Sequence, residues 1–263
     1  MIVELVLYLV VGAFSGVLAG LFGVGGGLIL VPVLVYSLAA QGISADVLTH
    51  IAVGTSLATI VFTSVNSVLA HQKHKAILWH LVRPISLGVL GGAALGAMTA
   101  SMIQGPMLQK IIGVFALTMA VQMAFNLTPK TRKPPPATPG LLAAGGVIGW
   151  ASAIFGIAGG SLTVPFLVWR STDMKKAVAT SAACGVPIAL AAAVGYVVTG
   201  WNAEGLPDWS TGFVYWPAVV GMAATSMLFA RVGAKLAHRL DPLLLKRLFA
   251  LMLVMVGLNF LLR

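Results

Sequence analysis

The sequence predicts an all-α integral membrane protein built as an inverted structural repeat. Each half carries a glycine-broken re-entrant helical hairpin and three transmembrane helices. Three observations predict it. The 263 residues are 59% hydrophobic and only 8% charged, where a soluble domain carries about 25% charged residues. A glycine-rich break in the apolar pattern occurs twice, 133 residues apart. Folding each break into a hairpin gathers almost all basic residues on one side of the membrane.

The first apolar segment runs from Val3 to Tyr36 and is broken at Gly20, Gly23, Gly25, Gly26 and Gly27. Glycine lets the chain leave helical geometry and lets other groups approach the backbone. In a bilayer the freed N–H groups are costly unless protein, water or ligand satisfies them, so such a break lines a cavity. Gly12, Gly16 and Gly20 form a smooth stripe on the entering helix. Gln41 to Asp46 is a short polar loop, Val47 to Ala70 the second segment, and His71 to Lys75 a basic loop. Pro84 to Met102 follows, with Gly88, Gly92 and Gly96 as a second stripe, then a span from Leu108 to Asn126.

Thr128 to Pro139, with Lys130, Arg132, Lys133 and a run of prolines, bisects the chain. The expected organisation is therefore 1–127 as first membrane repeat, 128–139 as cytoplasmic linker and 140–263 as second repeat. Phe22, Gly23, Gly26, Gly27, Val31 and Pro32 return as Phe155, Gly156, Gly159, Gly160, Val164 and Pro165. Gly145, Gly149 and Ala153 replay the first stripe. Thr55-Ser56 returns as Thr180-Ser181, and Pro84 and Gly88 as Pro217 and Gly221.

Charge orients the halves. If each glycine-rich segment is one ordinary span, the Lys and Arg residues divide 7 against 9. If each is a hairpin that enters and leaves on one face, loops 71–83, 128–138, 169–176 and 231–247 share a side and hold 14 of the 16. Cytoplasmic loops collect Lys and Arg, so the hairpin arrangement is expected, with both termini outside and the second half inverted. Gly140–Ala153 spans about 21 Å as helix, past the middle of a hydrocarbon core of roughly 30 Å without crossing it. The two tips would then meet from opposite faces. The net charge of +10 reads as topology, not nucleic-acid binding. The start of the chain lacks the positive region of a signal peptide.

A tip of this kind can hold an anion. The helix leaving it, from Gly27 or Gly160, points its unpaired N–H groups and positive dipole end inward. The candidate substrate-binding residues are Phe22, Gly23, Gly25, Gly26, Gly27, Thr55 and Ser56 in the first half. In the second they are Phe155, Gly156, Gly159, Gly160, Ser161, Thr180 and Ser181. Ser161 adds a hydroxyl that its counterpart Leu28 lacks. Packing competes for these roles: Ser and Thr also bond neighbouring helices, and Thr59 is read that way first. Phe22 and Phe155 either gate the path or fill space. Asn66 reads as interhelical glue ahead of ligand contact, and His71, like His74, as a loop histidine or a proton relay. Cys184 reads as a small apolar helix residue. Gln122 and Asn259 receive no role. No Asp, Glu, Lys or Arg lies deep in a span, which disfavours a cation carrier. No metal-spaced cluster, cofactor motif or catalytic triad is present, so neither a metal, a cofactor nor an enzyme activity is expected.

The motif Gly16-x-x-x-Gly20-Leu21-Phe22-Gly23-Val24-Gly25-Gly26-Gly27-x-x-x-Val31-Pro32, with Gly54-Thr55-Ser56-Leu57 and the span ending in His71, resembles the signature of the sulfite exporter TauE/SafE family. The looser second copy, Phe155 to Gly160 with Pro165 and Ala179-Thr180-Ser181, fits as well. The similarity covers nearly the whole chain. It implies a multi-pass permease of the bacterial inner membrane that moves a small inorganic or organosulfur anion: sulfite, a sulfonate such as sulfoacetate, or thiosulfate. An exporter is expected, although family members differ in substrate and direction. The expected partners are that anion and the lipid bilayer, with homo-oligomerisation left open. The chain departs from the pattern at Ala158 and Ala179, where the first half has Gly25 and Gly54. A symmetric site would then hold the ligand less closely in the second half. The alternatives are a scaffold or assembly subunit that transports nothing, and a permease for another small ion.

Overall fold

Apolar runs become helices because a hydrocarbon layer leaves each segment to pair its own backbone polar groups. A computed structural model describes residues 2–22, 27–73, 75–125, 136–237 and 242–262. In the first half α1 is Ile2–Phe22, α2 Gly27–Ala40, α3 Ala45–Lys73, α4 Trp79–Ser101 and α5 Gly105–Ala124. In the second α6 is Thr138–Phe155, α7 Gly160–Trp169, α8 Met174–Thr199, α9 Trp216–Ala237 and α10 Pro242–Leu262. The helices α3, α4, α5, α6 and α8 are long and apolar enough to cross a bilayer, with shorter apolar helices beside them. This is an all-α membrane protein apart, among the described residues, from one small hairpin, in which β1, Ser210–Thr211, pairs antiparallel with β2, Val214–Tyr215.

Local chemistry sets the ends. Asp173 caps α8 by accepting the Lys175 N–H at 3.0 Å. Pro106 and Pro139 stand in the first turns of α5 and α6, where a missing N–H costs nothing. For that reason α6 starts at Thr138, inside the expected linker. It runs on to Phe155 and ends where Gly156 turns left-handed (φ 66°, ψ 33°). At 18 residues it is about 27 Å long, longer than the arm expected from the sequence. The returning arm α7 has 10 residues, about 15 Å.

Packing follows the glycine stripes. The helix α4 lies along α6, α1 along α9, α5 along α10 and α3 along α8. At Gly92 an added Cβ would overlap the Gly146 carbonyl, so α4 and α6 touch backbone to backbone. Gly12 and Gly16 face Met222 and Ser226 of α9, while Gly145 and Gly149 face Ile85 and Val89 of α4. The glycines are related by 133 residues, but their partners by 137 (85 to 222, 89 to 226). Pro84/Gly88 and Pro217/Gly221 match in sequence yet sit one helical turn out of register in space. The helices α2, α3 and α8 fill the centre, with Leu34, Ile51, Leu57, Ala192 and Tyr196 fully buried. Leu87 and Leu95 of α4, Val114 of α5 and Leu251 and Met255 of α10 point outward, as lipid-facing side chains do.

Candidate functional site

The second break is described completely. Gly156 ends α6, and the N–H groups of Gly156 and Ile157 both return to the Ser152 carbonyl. Gly159 then stands ahead of α7, which no side chain caps. Of the N–H groups opening α7, those of Leu162 and Thr163 go to the Gly159 carbonyl, and those of Gly160 and Ser161 have no side-chain cap. Gly27 opens α2 as expected, and a Cβ there would lie 2.6 Å from the Gly156 carbonyl oxygen and 2.8 Å from Ile157 Cα. The start of α2 thus rests on the second break. Phe22 closes α1; its side chain, with Gly23, Gly25 and Gly26, lies outside the described residues.

The hydroxyls divide into two groups. Thr55 Oγ1 accepts the Tyr215 N–H at 3.0 Å, and Ser56 Oγ donates to the Gly156 carbonyl at 3.0 Å. Thr180 Oγ1 accepts the Leu78 N–H at 3.1 Å. Thr59 donates to its own helix at the Thr55 carbonyl. These side chains hold the fold. By contrast Ser161 and Ser181, with Ser152 and Thr163, are buried and have no hydrogen-bond partner within the protein. A buried hydroxyl left unpaired costs about 1–3 kcal/mol. Thr163 and Ser152 were missed by the sequence reading. Their signal was the difference between the repeats, since the offset of 133 sets Ser152, Ser161 and Thr163 against Ala19, Leu28 and Leu30.

Of the other candidates, Phe155 and Asn66 make contacts between helices. Phe155 stacks on Phe115 of α5, centroids 3.9 Å apart and planes within 9°. Asn66 Nδ2 donates to the Met227 carbonyl of α9 at 3.4 Å, the interhelical role expected first. His71 is half-buried in the last turn of α3, and His74 lies outside the described residues. Cys184 is free and buried.

His50 received no role from the sequence. It is 4% exposed, with Nε2 3.0 Å from the Ala100 carbonyl and Nδ1 3.2 Å from the Asp46 carbonyl. Phe213 stacks on its ring at 5.1 Å. A lone histidine in an apolar helix was the available signal. Among the described residues no group of three or more His, Cys, Asp or Glu converges as a metal site would need.

Apolar helices long enough to cross a bilayer, packed around the uncapped start of α7 and its unpaired hydroxyls, define a multi-pass membrane protein. Comparison with known proteins agrees. The sequence profile described as "Sulfite exporter TauE/SafE" matches residues 8–260, and the chain belongs to that family. It is a transporter family and not an enzyme family. The chain is 35% identical over 260 residues to a "Probable membrane transporter protein" of Haemophilus influenzae, covering 98% of each chain. A protein of Methanocaldococcus jannaschii with a similar description is 29% identical, covering 97% of this chain and 95% of its own. One from Bacillus subtilis is 23% identical over 274 residues. No solved structure matches the chain.

Proposed function

We propose that this protein is a secondary transporter that exports a small sulfur-containing anion across the bacterial inner membrane: sulfite, a sulfonate such as sulfoacetate, or thiosulfate. Its site lies between the two glycine tips. The observation that carries this reading is the contact of the start of α2 with the second tip, Gly27 against Gly156 and Ile157 ahead of the uncapped start of α7. A helix N-terminus offers N–H groups and a positive dipole end, which suits an anion without a cationic side chain. No Asp, Glu, Lys or Arg is buried among the described residues, so an anion held by backbone and hydroxyls fits better than a cation. The description of the matching family supports the same class of substrate.

The helix pairing supports an inverted repeat. Exchanging the halves turns α1 on α9 into α6 on α4, and leaves α5 on α10 and α3 on α8 unchanged. Ten residues of α7 cover about half the hydrocarbon thickness, which supports a tip within the membrane. The 14-to-2 division of basic residues supports a cytoplasmic position for loops 71–83, 169–176 and 231–247 and the linker. Single cysteines at Lys133, Arg170 and Glu204 test this: the first two should label from inside and the third from outside. Labelling of Arg170 and Glu204 from one side would remove the hairpin arrangement.

Function is tested by flux of radiolabelled sulfite, sulfoacetate and thiosulfate in proteoliposomes, with citrate as control. At least one of the three should move faster than in empty liposomes, and citrate should not. A trianion would have to shed its water without an ion pair. Transport of citrate, or of none of the three, overturns the reading.

A further inference from the structure

The protein shows how it treats membrane hydroxyls. Ser15, Thr63, Thr99, Thr118, Thr199 and Thr225 each donate to a carbonyl three or four residues earlier in their own helix. This local bond is the ordinary way to satisfy a helical Ser or Thr. Ser161 and Thr163 depart from it for a geometric reason. Both stand in the first turn of α7, where no preceding helical turn supplies carbonyls. The nearest candidate, the Gly159 carbonyl, already accepts the Leu162 and Thr163 N–H groups. Thr163 Oγ1 lies 2.8 Å from where a Cβ on Gly159 would stand, which puts it at the uncapped end of the helix. Ser161 is 8% exposed and Thr163 fully buried, and neither has a partner.

Ser181 gives the same result from another element. It sits on α8, which packs on α7. Its counterpart Ser56 spends its hydroxyl on Gly156, whereas Ser181, equally buried, has no partner. In the first half the corresponding tip positions are Leu28 and Leu30, which donate nothing. Of the remaining buried hydroxyls without a partner, Thr49 stands on α3, Ser86 on α4, Ser152 on α6 and Ser210 on β1.

We infer that the transported oxyanion is held by the second tip alone: Ser161 and Thr163 at the start of α7, Ser181 from α8, and the uncapped N–H groups of α7. From the first half, Gly27 at the start of α2 packs against Gly156 and Ile157 of this tip. The assignment to the second tip rests on the functional reading above. It reverses the expectation, drawn from Ala158 and Ala179, that the second half holds the ligand less closely. The donors are all neutral, so the site suits the oxygens of a compact sulfur oxyanion whose charge is delocalised over them.

The test uses the purified full chain in detergent, with sulfite, sulfoacetate and thiosulfate titrated by calorimetry and unfolding followed without ligand. Ser161→Ala, Thr163→Val and Ser181→Ala are compared with Ser56→Ala and Thr55→Val. Loss of a hydrogen bond to a charged oxygen should weaken binding by about tenfold to one-hundredfold in each of the first three. Their unfolding temperatures without ligand should stay level or rise, because an unpaired hydroxyl has been removed. Ser56→Ala and Thr55→Val should unfold earlier yet bind as wild type. If wild type binds and the three second-half variants bind equally well, the inference is overturned and the function stands. If Ser161→Ala and Thr163→Val unfold several degrees earlier without ligand, their hydroxyls are structural and the inference is again overturned. If wild type binds none of the three anions, the functional reading fails and this inference with it.

Discussion

Thr55-Ser56 and Thr180-Ser181 occupy corresponding places on α3 and α8, and they are used differently. Both threonines accept a backbone N–H from the residue just ahead of a helix of the other half: Tyr215 before α9, Leu78 before α4. The joint is the same, but its surroundings are not. The loop before α4 is short, residues 74–78, whereas 200–215 is long enough to form the β1–β2 hairpin. That hairpin buries Phe213, Val214 and Tyr215 and lays Phe213 on His50 and Tyr196. The serines differ more. Ser56 ties α3 to the second tip, while Ser181 has no partner. The duplicated threonine thus serves the frame in both halves and the duplicated serine in one, so a repeated motif need not have a repeated role.

The largest effect should come from Gly156, whose carbonyl holds Ser56. Its left-handed φ of 66° and the Val31 Cγ2 atom 2.6 Å from any added Cβ leave no room for a branched residue. Gly156→Val should give no monodisperse protein on size-exclusion chromatography. Gly42, with φ 79° and nothing within 4 Å, separates strain from overlap. Gly42→Val should fold, losing about 1–2 kcal/mol for the left-handed backbone. Equal yields of the two variants would show that the second tip is not packed against α2 and α3.

Next come the two joints. Thr55→Val leaves the Tyr215 N–H without its acceptor at a buried site, and Thr180→Val does the same to Leu78 at a part-buried one. The first should cost about 1–3 kcal/mol, the desolvation of an unsatisfied group. The second should cost less, because water reaches it. Thermal unfolding in detergent should rank wild type above Thr180→Val and Thr180→Val above Thr55→Val. The opposite order would mean that the hairpin contributes less to holding α3 than the short loop does.

Much of the fold was legible because its signals are local. Hydropathy and length mark the apolar spans, and the glycine clusters mark both breaks, with α2 and α7 starting at Gly27 and Gly160. The stripes at Gly88/Gly92/Gly96 and Gly145/Gly149 are also readable, because close helix packing needs small residues wherever it occurs. Their partners are not readable. That α4 meets α6 while α1 meets α9, and that the register shifts by one turn, depends on how distant helices cross.

The candidate site divides along the same line. The sequence alone identified glycine breaks flanked by hydroxyls, and it distinguished Ser161 from Leu28. Which hydroxyls are engaged is a tertiary fact. Thr55 finds its donor 160 positions away and Ser56 its acceptor 100 positions away, and no local pattern encodes either distance. Thr163 and Ser152 could be valued only once their lack of partners was seen. A residue type fixes what a side chain can donate or accept, but only the folded chain decides whether a partner is within reach.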